Sequence, residues 1–227
     1  MSIITTQIAD MTCHEITNYS QPRKIVVLLH CLGFTGLQIA ETISPVAHRL
    51  AGRVICPESP VAPGSWFEFS ENLEEQRERS FKHLRDLIVE LAWGDNPENI
   101  SIIGISQGGV LAYELGTRLP MRLGLVVTIS SYLFDPLLSQ ADHIIAPYHS
   151  YFIAHGLQDE IIPVESVDIA QRALERIGSQ VESKIYPTDH AGVISASFRD
   201  IVRLLSKKDD LIPEMSEVNE TISLSLV

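Results

Sequence analysis

The stretch Gly104-Ile105-Ser106-Gln107-Gly108 sets a serine between two glycines, at the end of the apolar run "ISIIGI". A serine hydroxyl attacks poorly until a base takes its proton, and that base works only when a third group orients it. Both partners stand downstream, each in the loop after an expected strand. Asp159 lies in "YFIAHGLQDEIIP" and His190 in "KIYPTDHAGV". Ser106 as nucleophile, His190 as general base and Asp159 as its orienting acid would make an acyl-transfer site. Glu160 and Asp189 compete with Asp159, but Glu160 reads as solvated and Asp189 sits too near His190 to reach round its ring. The oxyanion of such a reaction needs two backbone N–H groups. The loop "LLHCLGFTG" offers the amide of Leu32, and the residue after the nucleophile offers that of Gln107.

These residues need elements to hold them. Short β-branched runs alternate with amphipathic stretches, the pattern of an α/β chain with a mostly parallel central sheet and helices on both faces. Strands are expected over 24–30, 53–57, 100–105, 123–130, 150–155 and 181–187, several apolar almost throughout, as strands covered on both faces are. Over 71–94, Leu73, Phe81, Leu84, Leu87, Ile88 and Leu91 form one helical stripe, with Gly94 as its cap. Further helices are expected over 107–119, 164–177 and 192–206, and one over 37–50 that starts late, with Pro45 in its first turn. A strand-to-helix turn at Ser106 would strain the serine's backbone and crowd side chains two residues away, which gives both glycines a reason.

Residues 1–206 read as one domain and 207–227 as a tail. The tail closes on "TISLSLV". Its bland reading is a poorly ordered end, and its sharper one an edge strand through Ile222, Leu224 and Leu226 that pairs two subunits into a homodimer.

The 227 residues hold 17 Lys and Arg against 29 Asp and Glu, a formal net charge of −12. With no basic stripe, that balance excludes nucleic acid as a partner. No apolar run reaches the roughly 18–20 residues that cross a bilayer, so no stable membrane insertion is expected. The first residues lack the basic start and continuous apolar core of a signal peptide. Cys13, Cys31 and Cys56 are too few and scattered for a disulfide framework or zinc site, which points to a reduced, cytoplasmic chain with no metal. Cys31 reads first as a small packing residue, and second as a redox-sensitive thiol. His30 and His155 end apolar runs and are expected to brace loops. Trp66, Phe67 and Phe69 of "SWFEF" either line a substrate groove or pack as core.

Taken together, "HCLGFTG", "SWFEF", "GISQGGVLAYELG", "HGLQDEIIP" and the late His190 resemble the phospholipase/carboxylesterase family of α/β-hydrolases, which includes the acyl-protein thioesterases. The likeness runs over roughly residues 24–206. It implies the α/β-hydrolase fold, a Ser106–Asp159–His190 triad, oxyanion amides at Leu32 and Gln107, a substrate side at Trp66 and Phe67, and no cofactor. It also implies a serine esterase acting on small-molecule or lipid esters or thioesters, or, alternatively, on acylated proteins and lysophospholipids with long chains. A ligand-binding scaffold without turnover is the reading of another class. Three departures bear on acyl length more than on hydrolysis: Cys31 where the family usually has glycine, a short Cys56–Ser65 segment, and "PTDH" without the usual glycine before the histidine.

Overall fold

The computed structural model describes residues 2–18, 24–134 and 149–206. The expected strands form β3 (Ile25–Leu29), β4 (Arg53–Pro57), β5 (Ile100–Ile105), β6 (Val126–Ile129), β7 (Ser150–Gly156) and β8 (Gln180–Tyr186). The N-terminus adds two more, β1 (Ile3–Ile8) and β2 (Met11–Thr17). The order across the sheet is β1-β2-β4-β3-β5-β6-β7-β8. Pairing is antiparallel from β1 through β2 to β4, and parallel from β4 to β8.

The β1–β2 hairpin is absent from the sequence expectation, and its turn explains why. Ala9 and Asp10 both take positive φ, 48° and 62°, a two-residue turn of the kind that Asn-Gly or Gly-Gly usually signals. Ala-Asp carries no such signal.

The helices are α1 (Gly36–Ile43), α2 (Leu73–Leu91), α3 (Gln107–Arg118), α4 (Glu165–Arg176) and α5 (Gly192–Ser206). Four match the expected spans closely. The first corrects one: it starts early and ends before Pro45. Thr35 and Gln38 form a capping box that begins it, and Pro45, lacking an N–H, cannot continue it. Its first turn is satisfied throughout. The Glu58 carboxylate accepts from Gly36 and Leu37 N–H at 3.0 Å each, and Thr35 Oγ1 accepts from Gln38 N–H at 3.2 Å.

Alternate residues of the inner parallel strands feed opposite faces. Val27, Leu29 and Ile102 pack with α2, α3 and α4, while Val26, Leu28, Ile103 and Ile105 pack with α1 and α5. That two-sided burial is the physical reason for the continuous apolar runs. A buried carboxylate joins two helices of the first face. Glu114 of α3 pairs with Arg77 of α2 and Arg118, and the two guanidinium groups lie over the rings of Phe134 and Phe81. The tail reading falls outside the described residues.

Candidate active site

The sheet order decides what can meet. Strands β3, β5, β6, β7 and β8 lie side by side and point the same way, so the loops leaving their carboxyl ends share one edge, the usual place for sites in open α/β sheets. Leu32 follows β3, Ser106 follows β5, Asp159 follows β7 and His190 follows β8.

Ser106 stands between β5 and α3 with φ 50° and ψ −112°, a conformation that non-glycine residues rarely hold. The turn needs its glycines. A Cβ on Gly104 would lie 2.4 Å from the Gly108 carbonyl oxygen, and one on Gly108 would lie 2.6 Å from the carbonyl oxygens of Leu29 and His30. The two do not clear space for each other alone, since Gly108 also lets α3 settle onto the end of β3. Gly109 has a separate reason: its Cβ would strike the Ser131 side chain at 2.5 Å.

The three residues singled out for chemistry form one line. His190 Nε2 lies 3.1 Å from Ser106 Oγ, and His190 Nδ1 lies 2.7 Å from Asp159 Oδ2. A carboxylate can only accept, so Nδ1 carries the proton and Nε2 is free to take one from the serine. The second carboxylate oxygen of Asp159 accepts from Ile161 and Ile162 N–H, at 2.9 Å each. Burial works to raise the Asp159 carboxyl, but the Ile162 amide, the His190 ring and the Ile161 amide outweigh it and hold it below the ordinary Asp range. Asp189 is occupied elsewhere, accepting from Gly192 N–H at the start of α5, and Glu160 is exposed.

The loop after β3 uses most of its own amides. Gly33 N–H donates to the Gly64 carbonyl, Phe34 N–H to that of Cys31, and Thr35 N–H to Gln38 Oε1. Among the described residues, the N–H groups of Leu32 and Gln107 donate to no other group of the protein, which leaves both for an oxyanion.

Trp66 and Phe67 are fully buried, so the expectation that they line the substrate side is corrected by where they lie. They brace the site from beneath. Trp66 N–H donates to Gln107 Oε1 at 2.8 Å, and Gln107 Nε2 donates to the Phe67 carbonyl at 2.5 Å. The Trp66 indole N–H donates to the His30 carbonyl at 2.9 Å, and its ring stacks on His30 with centroids 4.5 Å apart. The Gln107 side chain therefore has a job that sequence reading missed. It ties the residue after the nucleophile to the core. Among the described residues, the large apolar side chains exposed on the loops at this edge are Leu32, Phe69, Leu157 and Ile161.

Both expected loop-bracing histidines do hydrogen-bond loops. His30 Nδ1–H donates to the Cys31 carbonyl at 3.0 Å. His155 Nε2–H donates to the Ile162 carbonyl at 3.0 Å and lies 3.3 Å from Asp159 Oδ2, a contact with the catalytic-edge carboxylate that its sequence position did not announce. Burial pushes the Cys31 thiol up, away from thiolate, and pushes Cys13 up to about 12. All three cysteines are free. Two serines after β6 were also missed: Ser130 Oγ donates to the His190 carbonyl and Ser131 Oγ to the Ser106 carbonyl, each at 2.8 Å. For Ser131, only its adjacency to Gly109's space, a long-range fact, could have marked it. No group of three or more His, Cys, Asp or Glu among the described residues is arranged to hold a metal ion.

Comparison with known proteins bears on the family and the fold. Acyl-protein thioesterase 1 of Aspergillus fumigatus is 31% identical over 137 residues, which cover 57% of this chain and 56% of that protein. The chain thus spans just over half the length of that relative. A probable inactive carboxylesterase of Oryza sativa subsp. japonica is 27% identical over 192 residues, 75% of this chain and 78% of that one. The crystal structure of Arabidopsis thaliana SOBER1 superposes with a TM-score of 0.68 at 24% identity, covering 82% of this chain and 98% of the other, a likeness of fold. The Phospholipase/Carboxylesterase family model matches residues 11–208, so by most of its length the chain belongs to the phospholipase/carboxylesterase family of α/β-hydrolases.

Proposed function

We propose that this chain is a serine hydrolase that cleaves carboxylic esters or thioesters through an acyl-Ser106 intermediate. The observation that carries the reading is the unbroken relay from Ser106 Oγ through His190 to Asp159, beside two undirected N–H groups. Ser106 Oγ attacks the carbonyl carbon while His190 Nε2 takes its proton. The oxyanion sits on the amides of Leu32 and Gln107, a kind of contact worth about 3–4 kcal/mol per donor. His190 then protonates the departing alcohol or thiol, and Asp159 holds the imidazolium in place. A water, deprotonated by His190, attacks the acyl-enzyme and releases the acid and the free serine.

Short acyl groups suit the site best. Among the described residues, Trp66 and Phe67 fill the space beneath it, and Leu32, Phe69, Leu157 and Ile161 are the large apolar side chains exposed on the loops at its edge. A p-nitrophenyl ester panel from two to sixteen carbons tests this, with turnover expected to be highest for the shortest and to fall toward the longest. Rising turnover to sixteen carbons would instead favour the long-chain thioesterase or lysophospholipase reading. Ser106→Ala is expected to lose at least about 10³-fold in kcat. If a fluorophosphonate leaves Ser106 of the native chain unlabelled, the site is a binding scaffold. The free thiols of Cys13, Cys31 and Cys56 support a cytoplasmic setting. Truncation after Lys208 followed by sizing tests the homodimer.

A further inference from the structure

Ser130 closes β6 with φ 47°, a left-handed backbone that glycine would take without strain. What serine adds there is a hydroxyl. It is completely buried, and it donates to the carbonyl of His190 at 2.8 Å. The next residue, Ser131, also buried, donates to the carbonyl of Ser106 at 2.8 Å. One dipeptide between β5 and β7 thus grips the backbones of both members of the Ser106–His190 contact, residues that lie 84 apart in sequence.

The two grips are not equal. The Ser106 carbonyl also accepts from Gly109 and Val110 N–H, at 2.9 and 3.3 Å, so Ser131 reinforces a turn that α3 already holds. The His190 ring is held by Asp159, and its carbonyl accepts, among the described residues, from the Ser130 hydroxyl alone. The neighbours of His190 are fixed by Gln158 N–H donating to the Thr188 carbonyl at 3.0 Å and by Gly192 N–H donating to Asp189.

We propose that Ser130 is a positioning residue for the reaction: its hydroxyl sets the height of the His190 backbone, and so the distance from Nε2 to Ser106 Oγ. The proposal rests on the hydrolase reading above. Its chemistry is plain. A base displaced by about 1 Å loses on the order of 10²-fold in rate, and substrate affinity need not change.

Two variants separate positioning from folding. Ser130→Gly and Ser130→Ala both remove the hydroxyl, but only glycine relieves the positive φ. Both are expected to lose roughly ten- to a hundredfold in kcat on p-nitrophenyl acetate, with KM within about twofold of the native value. Their thermal midpoints should part, with Ser130→Gly melting above Ser130→Ala. Activity would then follow the hydroxyl and stability the backbone. Native kcat in Ser130→Gly, or a kcat loss confined to Ser130→Ala, overturns the proposal. So does a kcat loss that tracks the melting temperature across the pair. Inactivity of the native chain toward both ester and fluorophosphonate would instead overturn the hydrolase reading, and this one with it.

Discussion

Asp159 has no exposed side-chain surface, yet its carboxyl is held below the ordinary Asp range by the Ile162 amide, the His190 ring and the Ile161 amide acting against burial. The sign of the consequence follows from linkage. A carboxyl whose folded value lies below its unfolded value of about 3.9 adds stability above that pH, and the gain disappears as pH falls through the folded value. Asn at this position does not titrate. The stability advantage of the native chain over Asp159→Asn is therefore expected at pH 7 and should shrink below about pH 4, measured by urea denaturation across that range. An advantage that grew toward acid would contradict the hydrogen bonds described. At the same scale, Ser106, Asp159 and His190 were legible because each stands in the loop that leaves an expected strand. The Gln107 side chain was not, since its partners Trp66 and Phe67 lie 41 and 40 residues away.

Two carboxylates tie elements of the fold together, one half-buried and one fully buried. Glu58 caps α1, the helix that follows the oxyanion loop, and also accepts from His14 Nε2 of β2 at 2.9 Å. Glu58→Ala removes an anion from a helix N-terminus and leaves two N–H groups and a histidine without their acceptor. A loss of about 1–2 kcal/mol is expected in urea denaturation, with Glu58→Gln keeping part of it. Glu114 behaves differently because it is buried outright. Burial raises its carboxyl against the pull of Arg77 and Arg118. Glu114→Ala should cost about 3–5 kcal/mol by the same measurement, since it leaves Arg77 charged and buried between α2 and α3. The helices themselves were legible where a stripe or a cap marks them, as in α2. The end of α1 was not, because Pro45 is compatible with a first turn and with a stop, and the Thr35–Gln38 box decides between them.

Across the whole molecule, the formal charge of −12 sets which substrates approach freely. A neutral ester should show kcat/KM nearly independent of ionic strength. An anionic ester, such as a succinate monoester, should gain in kcat/KM as salt rises from 0.01 to 0.15 M, because the Debye length contracts from about 30 to 8 Å. Equal salt dependence for both would mean that a local positive field outweighs the net charge at the site. The same balance disfavours phosphate backbones, and no described helix is long and apolar enough to cross a membrane.

The sequence by itself determined the fold class, the parallel core strands and the order in which Ser106, Asp159 and His190 leave them. Those rest on local physics: an apolar run, a glycine-flanked turn and a following amphipathic helix lie within a few residues of one another. Tertiary structure decided the rest. It set β6 between β5 and β7, which brings Ser130 under His190, and it buried Trp66 and Phe67 as a brace. It also left the Leu32 and Gln107 amides without an acceptor among the described residues while the amides of Gly33, Phe34 and Thr35 found theirs. Such facts depend on strand order and on contacts between distant segments, and no local pattern encodes them.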